Sequence, residues 1–177
     1  IVLFQEEIRR FLLNLGTHHR ARSFLNFLGG KKTEQVERAD IMPLVMACLN
    51  MSKQKVGALI VIEQEVSLNE FVRTGDTIDA NISQRLIENI FFKNSPLHDG
   101  AMIVSHNRIK AAGCILPVSH DLNIPRQLGL RHRAALGVSQ VSDALVIIVS
   151  EQTGAISTAH EGQFRLRLSA EELEREL

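Results

Sequence analysis

Ala144-Leu145-Val146-Ile147-Ile148-Val149-Ser150 is apolar until its last residue and rich in β-branched side chains. So short a run suits a strand, and a strand without polar alternation is one buried on both faces. Such a strand needs a sheet with helices packed against it, which points to an α/β fold. A second run of the same kind, residues 56–62, lies between Lys55 and Glu63 and supplies another buried strand. Residues 101–105 and 108–116 read as a hairpin about His106-Asn107, although this is not the favoured hairpin dipeptide. Residues 77–82 read as a short edge strand, and residues 156–159 and 164–168 as a closing hairpin.

Helical periodicity fills the intervals. Phe4, Ile8, Phe11, Leu12 and Leu15 share one spacing and Gly16 stops it, followed by a basic connector at 17–32 with a loop at Gly29-Gly30. Residues 33–52 read as a helical segment bent or broken near Pro43. Residues 67–76 form a connector that turns at Thr74-Gly75-Asp76. Ser83 is placed to cap a helix reaching about Phe92, with Leu86, Ile87 and Ile90 inward, and Asn94-Ser95-Pro96 ends it. A loop with Pro117 and Pro125 leads to a helix from Leu130 to about Gln140. Ser169-Ala170-Glu171-Glu172 is a capping box opening the last helix. The expectation is a single globular domain over 1–177 with a central mixed β-sheet flanked by helices. Within it, 1–32 is an N-terminal helix and connector, 33–168 the core, and 169–177 the start of a C-terminal helix.

Composition excludes several functions. Twenty Lys and Arg balance twenty Asp and Glu, so no global field draws the chain onto nucleic acid, and anion binding must come from a local cluster. Neither Trp nor Tyr is present, which removes the usual platforms for stacking single-stranded bases. Cys48 and Cys114 sit in apolar runs without metal-ligand spacing and read as buried free thiols. No stretch approaches the ~20 apolar residues of a membrane span. The start at Ile1-Val2-Leu3-Phe4 without Met, and the end inside a helix, suggest an excised piece. An apolar start of this kind suits a segment leaving a membrane and suits simple helix packing equally.

Two segments carry chemistry: Leu97-His98-Asp99-Gly100-Ala101 and Gly129-Leu130-Arg131-His132-Arg133-Ala134. Asp99 is either a carboxylate for a metal or a proton, or a turn-forming Asp before glycine. Gly100 and Ala101 have no bulk to keep a ribose or phosphate from the backbone. Arg131 and Arg133, two apart at a helix start, do not share one face and are placed to flank phosphates. His132 between them is equally a packing residue or a ligand contact. His98 is a candidate second metal donor. Ser150 and Glu151, ending the strongest strand, suit a ligand crevice, as Glu63 does more weakly. The remaining histidines, His18, His19, His106, His120 and His160, read as surface residues.

Together these segments resemble the diadenylate cyclase domain family, marked by an Asp-Gly-Ala motif followed by an Arg-His-Arg motif. The likeness extends to Gly57-Ala58-Leu59-Ile60-Val61-Ile62-Glu63, Ala112-Gly113-Cys114-Ile115-Leu116-Pro117 and Ser150-Glu151-Gln152-Thr153-Gly154, and spans roughly residues 1–168. The stretch Phe4-Gln5-Glu6-Glu7-Ile8-Arg9-Arg10 resembles the membrane-anchored type. The resemblance implies condensation of two ATP into cyclic di-AMP by a face-to-face homodimer, with Asp99, Arg131 and Arg133 catalytic. It implies nucleotide contacts at Gly100, Ala101, Leu116, Arg131, His132, Arg133 and Ser150, with Ile62 and Ile115 as aliphatic walls for the base. It implies a divalent metal, Mn²⁺ or Mg²⁺ with Co²⁺ as a further candidate, at Asp99, His98 and Glu151. A membrane regulator protein and phosphoglucosamine mutase are the partners it suggests, with the parent at the cytoplasmic face of the membrane and this fragment soluble. Leu130, commonly Thr, and Gln152, commonly Glu, depart from the family pattern. The competing reading is a module that senses ATP or cyclic di-AMP without catalysis.

Overall fold

Residues 145–149 do form a strand, and all five side chains are buried. A computed structural model of the chain describes residues 33–121, 124–125 and 128–177, with backbone alone for 33–40. The expected N-terminal helix, the basic connector, His18 and His19 lie outside the described residues. The chain divides into Ile1–Glu37 and Arg38–Leu177, and the architecture below is that of the second unit.

In chain order the elements are α1 (Thr33–Gln54), β1 (Ala58–Ile62), α2 (Asn69–Val72), β2 (Asp76–Asn81), α3 (Gln84–Ile90), a 3₁₀ turn (Pro96–His98), β3 (Ala101–Ser105), β4 (Arg108–Cys114), α4 (Leu130–Val141), β5 (Leu145–Val149), β6 (Ile156–His160), β7 (Gln163–Arg165) and α5 (Ala170–Glu176). Seven strands make one sheet in the order β2-β4-β3-β1-β5-β6-β7. β1 and β3 are parallel, and every other neighbouring pair is antiparallel. The sheet is therefore mixed, and β1 and β5, its most apolar strands, lie toward its middle.

Alternation along the strands splits the core in two. Ala58, Ile60, Met102, Val104, Ile147 and Val149 face one side, where α1, α3 and α5 contribute Cys48, Met51, Ile87, Ile90 and Leu173. Leu59, Val61, Ile103, Val146 and Ile148 face the other, covered by Ala135 and Val138 of α4. Burial pushes the Cys48 thiol up to about 12 and that of Cys114 up to about 11, so both are inert packing residues.

Four local expectations are corrected. α1 runs unbroken through Pro43. A proline inside a helix costs ~3 kcal/mol, but burying Leu44, Val45, Cys48 and Met51 on the sheet offsets it, at roughly 1.5–3 kcal/mol for each large side chain. The connector at 67–76 contains the one-turn helix α2, which buries the adjacent Leu68 completely. Ser83 occupies the cap position of α3, but its side chain makes no capping bond. β7 stops at Arg165, short of Leu168, although Leu168 still donates its N–H to the Ile156 carbonyl at 2.8 Å. His106-Asn107 does turn the β3–β4 hairpin, with both residues at positive φ (48° and 59°), the backbone that a two-residue hairpin loop demands. The Ser169 capping box forms in full.

Candidate active site

Strand register decides which residues meet. Ile60 pairs with Met102 in the parallel β1–β3 ladder, which carries Gly57 to the level of Asp99. Ala58 pairs with Val149 across β1–β5, so Gly57 is also level with Ser150. Ala101 pairs with Cys114, which brings the end of β4 to the same edge. Asp99, Gly57, Cys114 and Ser150 thus gather at one end of the sheet, contributed by four adjacent strands.

Each arrives there for a local reason. Ser95 accepts the Leu97 N–H at 3.2 Å, and Pro96 stands first in the 3₁₀ turn that follows. Asp99 closes that turn in extended backbone and remains exposed. Gly100 then takes φ +109°, and a β-carbon there would lie 2.7 Å from the Gly113 carbonyl carbon and 2.8 Å from the Cys114 oxygen. Only glycine meets both demands, so Asp99 is held at the strand mouth by backbone packing.

α4 starts at Leu130 after Gly129, which offers no side chain to cap it. Its first turn has no acidic residue and two arginines, the reverse of what the helix dipole favours. Two cations at a helix N-terminus run against the dipole unless an anion sits between them. Arg131 reaches across the sheet end to Glu151, its Nη1 donating to Oε2 at 2.8 Å. The Ser119 N–H donates to the Arg133 carbonyl at 3.0 Å, tying the preceding loop to the helix start. His132 turns inward: it is buried, stacks edge-on against Phe164 at 6.1 Å, and burial holds its pKa below the ordinary 6.5.

Ser150 binds its own loop, its Oγ accepting the Thr153 N–H at 3.2 Å and its carbonyl the Gly154 N–H at 2.8 Å. Leu116 is buried in the α4-side core, whereas Ile115 and Leu130 are 70% and 76% exposed. Among the described residues no three His, Cys, Asp or Glu side chains cluster as a metal cage. The Nδ1 of His98 lies 2.6 Å from the Ser95 carbonyl oxygen, leaving Nε2 for other partners. A few separate carboxylates fit a hard divalent ion whose shell is completed by phosphate oxygens and water.

Two expected contributors lie elsewhere. Ile62 pairs with Val104 and Leu145 at the far end of β1, about 16 Å from Gly57 at ~3.3 Å per residue. It packs on the α1 face and cannot form a wall with Ile115. Glu63 is beside it, accepting the Leu68 N–H at 2.7 Å and the Ser105 hydroxyl at 2.6 Å, and so fastens a loop. Conversely, Gly57 was not singled out by sequence reasoning. A β-carbon on it would stand 2.9 Å from the Arg131 guanidinium and 3.0 Å from Glu151 Oε2. Glycine inside a β-branched run is the signal that marks such a close approach.

Residues 45–164 match the family model described as DisA bacterial checkpoint controller nucleotide-binding, DAC. The chain belongs to the DAC family. It is 42% identical over 173 residues to cyclic di-AMP synthase CdaA of Bacillus subtilis (strain 168), covering 98% of this chain and 62% of that protein. A diadenylate cyclase of Listeria monocytogenes serotype 1/2a (strain 10403S) is 39% identical over the same shares. This chain therefore spans less than two thirds of the length of these relatives. Among solved structures, a double mutant of DacA from Staphylococcus aureus superposes with a TM-score of 0.78 at 45% identity, over 80% of this chain and 94% of that one. A hypothetical membrane spanning protein from Bacillus cereus superposes at 0.70 with 35% identity, over 96% and 80%. Among the described residues no helix is long and apolar enough to cross a membrane.

Proposed function

We propose that this DAC domain condenses two ATP molecules into cyclic di-AMP, releasing two pyrophosphates. The observation that carries the reading is the shared sheet end, where Asp99 projects from an exposed strand mouth and Arg131 overhangs the same edge. A carboxylate and guanidinium groups around a glycine-lined floor answer the two needs of the reaction. The 3′-hydroxyl oxygen of one ATP attacks the α-phosphorus of the other, and the bond to the bridging oxygen of the leaving pyrophosphate breaks. Repetition in the opposite sense closes the ring. Asp99 takes the proton of the attacking hydroxyl or favours its loss. Arg131 and Arg133 hold the phosphates and oppose the charge that grows on the leaving group.

Gly100 and Ala101 admit the nucleotide against the backbone, with Leu116 and Ser150 beside it. His132 supports the start of α4 from behind, since its ring is buried. Asp99 and Glu151, with phosphate oxygens and water completing the shell, would hold a divalent cation, Mn²⁺, Mg²⁺ or Co²⁺, which would supply charge neutralisation at the phosphates; His98, expected as a further donor, does not cluster with them. One site accommodates one ATP, so a two-fold product calls for two protomers facing each other. Attachment at the cytoplasmic face of the membrane, with a membrane regulator and phosphoglucosamine mutase as partners, is part of the same proposal and rests on the resemblance to the membrane-anchored type of the family alone. The test is to incubate the protein with ATP and each cation and separate the products. Two pyrophosphates for each cyclic di-AMP support the reading; bound ATP returned unchanged with every cation supports a sensing module instead.

A further inference from the structure

We infer that the Arg131–Glu151 ion pair is a latch that couples metal binding to nucleotide binding, and that Gly57 is the positioning residue that admits it. The inference rests on the proposed nucleotide site. Both partners have work elsewhere in that site, Arg131 on phosphate and Glu151 on the cation, yet here each occupies the other at 2.8 Å. Arg131 is 26% exposed and Glu151 59% exposed, so the pair can open into solvent without a large desolvation cost. Gly57 is buried directly beneath, and any β-carbon there would press on the guanidinium and the carboxylate together. Strand geometry has thus kept a space for this contact. Opening it frees a cation for the nucleotide and an anion for the metal at once. A phosphate alone must compete with Glu151 for Arg131, and a metal alone must compete with Arg131 for Glu151. The metal–nucleotide complex satisfies both released groups, so it is the species the latch selects.

The test is a double-mutant cycle read by calorimetric titration of ATP in chelator, without turnover. Glu151→Gln keeps the shape, and its exposure means the fold is not at risk; melting curves confirm this. In chelator, Glu151→Gln should bind ATP about two- to five-fold more tightly than the parent, the range expected for releasing an exposed ion pair. In the Arg131→Ala background the same change should have almost no effect, because the guanidinium for which Glu151 and phosphate compete is already gone. With Mn²⁺ present the order should reverse, Glu151→Gln binding ATP more weakly. An equal gain in both backgrounds would overturn the latch, since the carboxylate would then act only through long-range repulsion. Unchanged affinity, no reversal with Mn²⁺, or no binding by either protein in chelator would overturn it too. Failure of the nucleotide site itself looks different: Arg131→Ala would then bind metal-bound ATP as well as the parent does.

Discussion

Gly100 backs directly onto the Cys114 carbonyl, at a φ of +109° and with space for no β-carbon between them. The contact sets the position of Asp99 one residue earlier. Gly100→Ala should therefore destabilise the domain by about 1–3 kcal/mol, the cost of holding a non-glycine residue in a sparsely populated backbone region. Turnover should fall further than the loss of folded protein explains. Urea denaturation beside product rates, corrected for folded fraction, checks both effects.

Arg131→Ala and Arg133→Ala should weaken ATP binding far more than adenosine binding. Guanidinium groups grip phosphate rather than base, and a charge-assisted bond is worth about 1.5–3 kcal/mol. Calorimetry with the two ligands measures the difference. Equal losses for both ligands would make the arginines structural.

His132 gives the stability of the fold a pH dependence. Burial lowers its pKa below 6.5, so the native state favours the neutral ring. The stability this contributes is complete above the unfolded value of 6.5 and is lost as pH falls from there through the lower native value. Urea midpoints should decline over that interval, and His132→Gln should flatten the decline. An equally steep decline in the variant would assign it to other groups.

Much of this was legible from residue type alone. β5 and β1 announce themselves by apolar runs too short for helices, and the Ser169 box by its spacing. The Asp99 and Arg131 segments are legible through their likeness to the family's two motifs, since Asp99 before glycine is by itself as readily a turn. What the sequence concealed depends on register. Ser150 and Glu63 both end apolar strands, but β1 and β5 are antiparallel, so these ends point to opposite edges of the sheet. Ile62 and Ile115 were likewise paired by chemistry and separated by the length of a strand. Pro43 misled because local propensity yields to burial, and Gly57 because its neighbours lie 74 and 94 residues away along the chain.

Specific activity should depend on protein concentration. One ATP per protomer cannot close a ring of two nucleotides, so activity should rise toward second order where the facing dimer is scarce. Initial rates across a dilution series, compared with sedimentation, provide the measurement. Constant specific activity at dilutions where only monomer sediments would defeat the two-protomer mechanism.

Asp99→Asn tests the central claim most directly, since the amide keeps the shape of the side chain and removes its charge. Product formation from ATP with Mn²⁺, and ATP affinity in chelator, where the cation that Asp99 would hold plays no part, should be measured on the same preparation. The expected result is a fold and ATP affinity close to those of the parent, with cyclic di-AMP synthesis reduced by at least about 10²–10³-fold, as when a transition-state electrostatic group is removed. Near-normal synthesis by this variant would contradict the assignment of Asp99, and with it the active site described.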